Sequence, residues 1–557
     1  MTLNPLKKIF LFIVLAGFTA VGCKTENTEN KWTPKILDKE LQQKHFLPDY
    51  SFAGYKWGEE SIPDFKGVII NIADFGAVPN DKKDDTEAIY SALSAANKVE
   101  GSVVLFFPIG RFILKDILYI ERSNIVLRGS VADGKNATIL YMPLALNELP
   151  TPKNMSELQE YLLKNNKRQI EKERGINEPF SLYAWSGGYI WTNYPGARAK
   201  SYMSEYNEPR NVLAKIVEGK RGENHFLVKN SSSLKTGAIV RINWFNTEGE
   251  NSSLINYLYD NQELKIGSRH WETPDIPLTK QEVSIVGIEG NKIIIKEPLL
   301  NDLRAEWNPD VSEWKYISNV GIENLNLEFL YQEYVAHHVE DGYNGIYLTN
   351  TTHSWIKNVN FRNGDSGILT DMCSNVTIEN VKTFGRKYHY AVHFGDCYNM
   401  LAKNLYIQAP VVHSLTFNTG SRSCVYTDCV VTEMPTLDQH SGLNYQNLFD
   451  NCLLYVDDPV QKLITMGGAK YWLPSHAAFS TFWNVRFNFL FENNSMDTIK
   501  ITGVTDSPSE RLIGITANYP IDIFYPINTY SEGINKTNIE VESLYSYQLE
   551  KRLNRNK

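Results

Sequence analysis

Seven of the 11 histidines of this 557-residue chain fall between positions 337 and 440: His337, His338, His353, His389, His393, His413 and His440. Arg386, Lys387 and Arg422 lie close to them in sequence, and Tyr388 and Tyr390 flank His389. Imidazole, phenol and guanidinium together suit β-elimination beside a uronate. A cation neutralises the sugar carboxylate and so acidifies the C5 proton. A base removes that proton, and an acid helps the C4 oxygen leave. Histidine serves as base near neutral pH. The catalytic set expected from this chemistry is His389 or His413 as base, His440 beside them, Tyr390 as acid or its helper, and Arg386 or Arg422 as carboxylate clamp. Asp365, Lys387, Tyr388 and His393 are expected to bind substrate. If the C4 oxygen carries the next sugar, the reaction is a lyase cleavage; if it is a free hydroxyl, the same chemistry is a dehydration.

Two other readings compete. Asp371 and Asp396 fall at equivalent positions after successive strands, so paired carboxylates could instead hydrolyse a glycosidic bond. Asn418 and Asn447 share that column, which also suits a polar turn ladder. A glycan-binding solenoid without catalysis would not need the clustering of His, Tyr and Arg. No cofactor or metal is expected: there is no CxxC pair or His–Cys spacing for zinc, and Asp457-Asp458 is too small a carboxylate group for calcium.

Residues so far apart must be gathered by a repeat. An asparagine or aspartate returns at 324, 358, 380, 404, 428 and 451, and from Asn358 onward the intervals are 22, 24, 24 and 23 residues. Apolar residues alternate after it, as in Val359 and Phe361 or Leu405 and Ile407. A fixed period of this size marks a solenoid, and the alternation makes its unit a strand. The expected fold is all-β, a right-handed parallel β-helix, with the asparagines stacked at one turn. Residues a coil apart then become neighbours, so Asp365, His389, Tyr390, His413 and His440 share one surface. Such solenoids suit long polymers, which points to an acidic oligosaccharide or polysaccharide partner.

The stretch Asn71-Ile72-Ala73-Asp74-Phe75-Gly76-Ala77, then Asp84-Asp85-Thr86-Glu87-Ala88-Ile89, Gly101-Ser102-Val103-Val104-Leu105-Phe106-Phe107-Pro108 and Gly110-Arg111-Phe112 resembles the N-terminal signature of the pectate-lyase-like superfamily. That superfamily includes polygalacturonases, other glycoside hydrolases, polysaccharide lyases and phage tailspikes, so the resemblance implies the fold more than the reaction. Asp84 and Asp85 read as caps of the helix that follows. The Asn-Thr-Asp, Asp-Asp and Gly-His-Gly motifs of polygalacturonases are absent, which counts against their hydrolytic mechanism. The strings Tyr50-Ser51-Phe52-Ala53-Gly54-Tyr55 with Gly58-Glu59-Glu60, and Leu437-Asp438-Gln439-His440-Ser441-Gly442 with Asn447-Leu448-Phe449-Asp450-Asn451-Cys452, are similar to β-helix proteins of marine polysaccharide-degrading Bacteroidota of the ulvan-oligosaccharide dehydratase type. That similarity implies a glucuronate or iduronate next to sulfated rhamnose.

The composition is that of a globular protein, 42% hydrophobic and 22% charged, with net charge −8, which disfavours nucleic acid. A local basic cleft can still bind an acidic sugar. Residues 1–22 read as a signal peptide, with Lys7 and Lys8 before an apolar run, and Ala20-Val21-Gly22-Cys23 resembles a lipobox. A lipidated Cys23 on the outer membrane is expected, with soluble secretion as the alternative. The other segments are expected as a tether and lead-in over 23–66, first coils over 67–130, an inserted aromatic-rich helical segment and small β-module over 131–313, the main β-helix over 314–530 and a tail over 531–557. Cys373, Cys397, Cys424, Cys429 and Cys452 are expected as inward thiols rather than disulfides.

Overall fold

The computed structural model describes residues 31–199, 209–261, 264–491, 498–501, 508–524 and 528–555. The expected signal peptide and Cys23 lie outside them. The chain winds into a right-handed parallel β-helix. One long sheet carries two faces of each coil. A second sheet, 8-stranded among the described residues, forms the third face. Its central strands are Asn344–Thr349, Ser366–Asp371, Tyr388–Phe394, Val411–Asn418 and Leu437–His440. They pair in parallel register, with Ile346, Ile368, Val392, Leu415 and Leu437 forming one column. All five are fully buried, so the column is part of the solenoid's core.

The recurring asparagine turns the corner between the first two faces. Asn324, Asn358, Asn380, Asn404, Asp428, Asn451 and Asn484 all have φ between 50° and 57°. Asparagine and aspartate tolerate this left-handed conformation better than other residues with a Cβ. Their side chains also link the coils. The Asn358 amide donates to Asn324 Oδ1 and the Asn380 amide to Asn358 Oδ1, each at 3.0 Å, and Asn484 does the same to Asn451 at 3.0 Å. Each such bond contributes about 1 kcal/mol, so the ladder fixes the register of coils more than it stabilises any one of them. The five cysteines of the coils are buried free thiols.

Residues 131–313 are not wholly an insertion. Thr138–Met142 pairs with Gly110–Ile113 and with Val320–Phe329, and Ile190–Thr192 pairs with Leu118–Ile120 and Asn344–Thr349. Both belong to the coils. Thr138, Leu140 and Met142 alternate as buried residues, the pattern of a solenoid strand. The excursions proper are a short helix, Ser156–Lys164, a hairpin of Arg168–Glu171 with Ile176–Pro179, and a closed antiparallel barrel. The barrel runs from Val212–Gly219 to Asp310–Glu313 around its own core of Trp244, Ile242, Val283 and Trp307.

The two ends of the chain also differ from the expected tether and tail. Tyr50 is fully buried and donates to Thr481 Oγ1 at 2.9 Å. Leu544–Arg555 is a helix whose first amides are accepted by the buried Asp450 carboxylate. Arg552 Nε donates to Ser51 Oγ at 2.9 Å, so the last helix holds the lead-in segment against the solenoid. Asp84 accepts from Thr86 N at the start of the Thr86–Asn97 helix. Asp85 accepts from Val78 N and Ile113 N and ties that helix to the first coils.

Candidate active site

The third face gathers the histidines. His389 and His393 come from Tyr388–Phe394, His413 from the next strand and His440 from the one after. Asp438 and His440 are two residues apart on one strand, so they project from the same face. The loop between Val320–Phe329 and Asn344–Thr349 folds back over this face and adds His337, His338, Tyr334 and Glu340. Phe180 and Trp185, from the aromatic-rich excursion, pack on His338 with ring centres 4.7 and 4.8 Å away.

Two buried carboxylates orient the imidazoles. Asp438 Oδ2 lies 2.8 Å from His413 Nδ1 and 3.3 Å from His440 Nδ1. It also accepts from Thr416 at 3.0 Å, while its Oδ1 accepts from Thr465 at 2.9 Å. Burial opposes its charge, but the His413 and His440 rings outweigh this and hold the carboxyl below the usual range. Glu340 Oε1 lies 3.0 Å from His389 Nδ1 and accepts from Tyr334 Oη at 2.8 Å and from the His338 amide at 3.1 Å. Burial, with a further push from Asp365, raises Glu340 to about 8. One carboxylate is therefore ionised and the other holds a proton near neutral pH.

Burial also lowers the imidazoles. His389 is held well below 6.5 by burial and then by His337 and His413. Burial takes His338 and His393 to about 3. His413 is lowered by burial despite the opposing pull of Asp438. Near neutral pH these imidazoles are therefore uncharged, with lone pairs able to assist a proton transfer or ligate a cation, while burial disfavours a lasting imidazolium. Tyr390 packs against two of them, with ring centres 4.0 Å from His389 and 5.0 Å from His413, and its hydroxyl accepts from Asn418 Nδ2 at 3.3 Å.

Several expected site residues stand elsewhere. Arg386 and Asp365 form a buried ion pair at 2.6 Å, and the other Asp365 oxygen accepts from the Gly342 and Tyr343 amides. Both are committed to anchoring the returning loop. Arg422 is 1% exposed and reaches Glu282 of the barrel at 2.8 Å and Asp396 at 3.2 Å, so it fastens the barrel to the solenoid. Tyr388 is in the core, its hydroxyl donating to the Phe384 carbonyl at 3.2 Å. His393 is buried beneath Tyr390, ring centres 4.7 Å apart. Lys387 stays at the site, half-buried, with Nζ 5.4 Å from the Tyr334 ring. Asp396, one half of the expected hydrolytic pair, is engaged by Arg422 and Lys280. Asp371 pairs through its backbone with Gly395, not Asp396, so the two aspartates are also out of register.

Sequence reasoning missed His337, His338, Tyr334, Glu340 and Asp438 as site residues. The Asp438-x-His440 spacing was a usable signal, because period two places both on one face. The loop residues carry no period.

Residues 69–149 match the family described as rhamnogalacturonase A/epimerase, pectate lyase-like. None of the curated proteins matches the sequence. Among solved structures, the tailspike protein gp49 of Pseudomonas phage LKA1 is similar at 13% identity over 83% of this chain and 78% of that one, with a TM-score of 0.43. A family 28 exopolygalacturonase of Yersinia enterocolitica is similar at 14% identity over 84% and 79%, with a TM-score of 0.35. A DFA-IIIase of Arthrobacter chlorophenolicus A6 gives 10% identity over 87% and 89%, with a TM-score of 0.34.

Proposed function

We propose that this chain is a carbohydrate-active enzyme that performs β-elimination at uronic acid residues of an acidic oligosaccharide or polysaccharide, as a dehydratase at a chain end or as a lyase. The observation that carries this reading is Tyr390 packed against both His389 and His413 beneath a loop bearing Glu340. Neutral imidazole supplies the base. Tyr390 and the protonated Glu340 are the groups able to deliver a proton to the C4 oxygen. Lys387, its pKa lowered by burial and then by nearby Arg174, gives the site positive charge for an anionic sugar. Carboxylate hydrolysis is disfavoured because Asp396 is engaged in ion pairs. An ulvan-type substrate, glucuronate or iduronate beside sulfated rhamnose, is the specific candidate. Export with a lipid on Cys23 is proposed with it, tested by whether Cys23→Ser moves the protein from membrane to soluble fractions.

The test is to incubate the protein with ulvan-derived oligosaccharides and follow the ultraviolet absorbance of a conjugated C4–C5 double bond. The absorbance is expected to rise. New reducing ends without it would replace elimination with hydrolysis, and neither signal would leave glycan binding.

A further inference from the structure

The third face of the solenoid and the loop above it bring together more imidazole than proton transfer requires. The ring centres of His337, His389 and His413 form a triangle with sides of 4.5, 5.3 and 5.3 Å. His337 Nε2 and His413 Nε2 face each other at 3.4 Å. Metal–nitrogen bonds of about 2.0–2.1 Å place two ligands of a tetrahedral ion roughly 3.4 Å apart, and the ring centres of such imidazoles roughly 5 Å apart. The separations at this cluster are therefore those of rings arranged around one small cation.

The carboxylates support the same arrangement. Imidazoles that ligate a metal through one nitrogen usually give the other to a carboxylate or carbonyl. Asp438 Oδ2 lies 2.8 Å from Nδ1 of His413, and Glu340 Oε1 lies 3.0 Å from Nδ1 of His389. Both rings are thereby left with Nε2 to present. Both ring nitrogens of His389 are buried without a hydrogen bond, and Nε2 has no carboxylate beside it. Such a group is costly to bury unless something satisfies it. Ligand atoms of His337, His338 and His389 lie within 4.8 Å of one another, as do those of His413, Asp438 and His440, and the His337–His413 contact joins the two groups. His338 fits less well as a ligand, since its ring centre is only 3.6 Å from that of His337 and its other neighbours are Phe180 and Trp185.

We propose that His337, His389 and His413 form a binding site for a single divalent transition metal ion of the zinc class, with Glu340 and Asp438 orienting the rings and one coordination position open to ligand. All-imidazole sites favour zinc, copper, iron or nickel over calcium and magnesium. The expectation of no metal rested on the absence of local Cys and His spacing. Here the ligands come from a loop and two strands, which no local motif reveals. With His389 and His413 as ligands, the imidazole left as base is His440, whose ring centre is 4.8 Å from that of His413; the ion supplies a cation beside it, where Arg386 and Arg422 do not reach. That role, neutralising a uronate carboxylate, rests on the elimination reading; the binding site does not.

The test uses the full chain, stripped with a chelator and dialysed against Zn²⁺ alone or Co²⁺ alone. Wild-type protein is expected to take up one tight ion per chain, with the intense visible bands of tetrahedral Co²⁺. His337→Gln and His413→Gln should lose the ion. Glu340→Gln should weaken binding about 10–100-fold, and His353→Gln, outside the cluster, should retain it. The unfolding transition of each variant is followed in parallel; the wild-type and Glu340→Gln results decide the matter if a ligand variant does not fold. Wild-type protein that binds no tight ion, or binding unchanged in His337→Gln and His413→Gln, overturns the proposal. Metal uptake is measured without sugar. Uptake without elimination overturns only the functional reading, and elimination without uptake overturns only the metal site.

Discussion

Replacing Arg422 with methionine separates a catalytic role from a structural one. The guanidinium lies 1% exposed between Glu282, itself 2% exposed, and Asp396. Methionine keeps much of the volume but removes the charge. Breaking a buried ion pair from one side typically costs about 3–5 kcal/mol, because a carboxylate is left behind uncompensated. Here Glu282 keeps Arg241 at 2.8 Å and Asp396 keeps Lys280. The expected loss is therefore at the low end, about 3 kcal/mol, and it falls on the joint between barrel and solenoid. Gln281, whose amide donates to Tyr398 Oη at 2.9 Å, and Tyr445, which meets Thr279 at 2.9 Å, keep that joint partly closed. Urea unfolding followed by tryptophan fluorescence reads the effect, since Trp244 and Trp307 sit in the barrel core. The midpoint should fall, or the single transition should split as the barrel unfolds first. Activity per folded molecule should stay within a few-fold of wild type. Unchanged stability with activity lost by 100-fold or more would refute this reasoning and return Arg422 to the substrate.

Other perturbations bear on the site and its scaffold. His389→Ala and His413→Ala should each lower the rate of elimination by about 10²–10⁴, with Asp371→Asn mild by comparison; the reverse order in steady-state assays would favour hydrolysis. Asn380→Ala should destabilise by about 1–2 kcal/mol in denaturant titrations, through the left-handed φ of 56° and the lost bond to Asn358. Asn380→Gly should cost less, because glycine adopts that φ without strain. Away from the site, burial lowers His270 from 6.5 to about 4. Its contribution to stability is complete above pH 6.5 and is lost as pH falls towards 4, because the unfolded chain then binds a proton that the folded chain refuses. On the order of 3 kcal/mol is at stake for this group. Urea midpoints measured across that window should fall with acid, and by less in a folded His270→Gln variant.

The scaffold was readable because its causes are local and repeated. Each corner needs a residue that tolerates positive φ, so Asn358, Asn380, Asn404 and Asn451 recur at coil spacing. The core face needs apolar residues at every second position, as at Val392 and Phe394 or Leu415 and Phe417. That period also brought His389, His413 and His440 to one sheet. Partners from distant segments were not readable. Nothing near Arg422 in sequence announces Glu282, 140 residues away, and nothing near Arg386 shows that Asp365 is already engaged by it and two backbone amides. A lone arginine in such a stretch reads as an available cation until its partner is placed. His337 and Glu340 sit in an aperiodic loop, whose place depends on tertiary contacts such as those of His338 with Phe180 and Trp185. The strand Thr138–Met142 was hidden for a related reason. It lies just before a long excursion, and one isolated rung shows no period.

The most direct measurement is the mass of the product formed from an acidic oligosaccharide with a uronate at its non-reducing end. Elimination predicts either the substrate less one water or two fragments whose masses sum to that of the substrate, with a C4–C5 double bond in the uronate. Fragments that together gain one water, with no double bond, would contradict the account and assign the chain to hydrolysis.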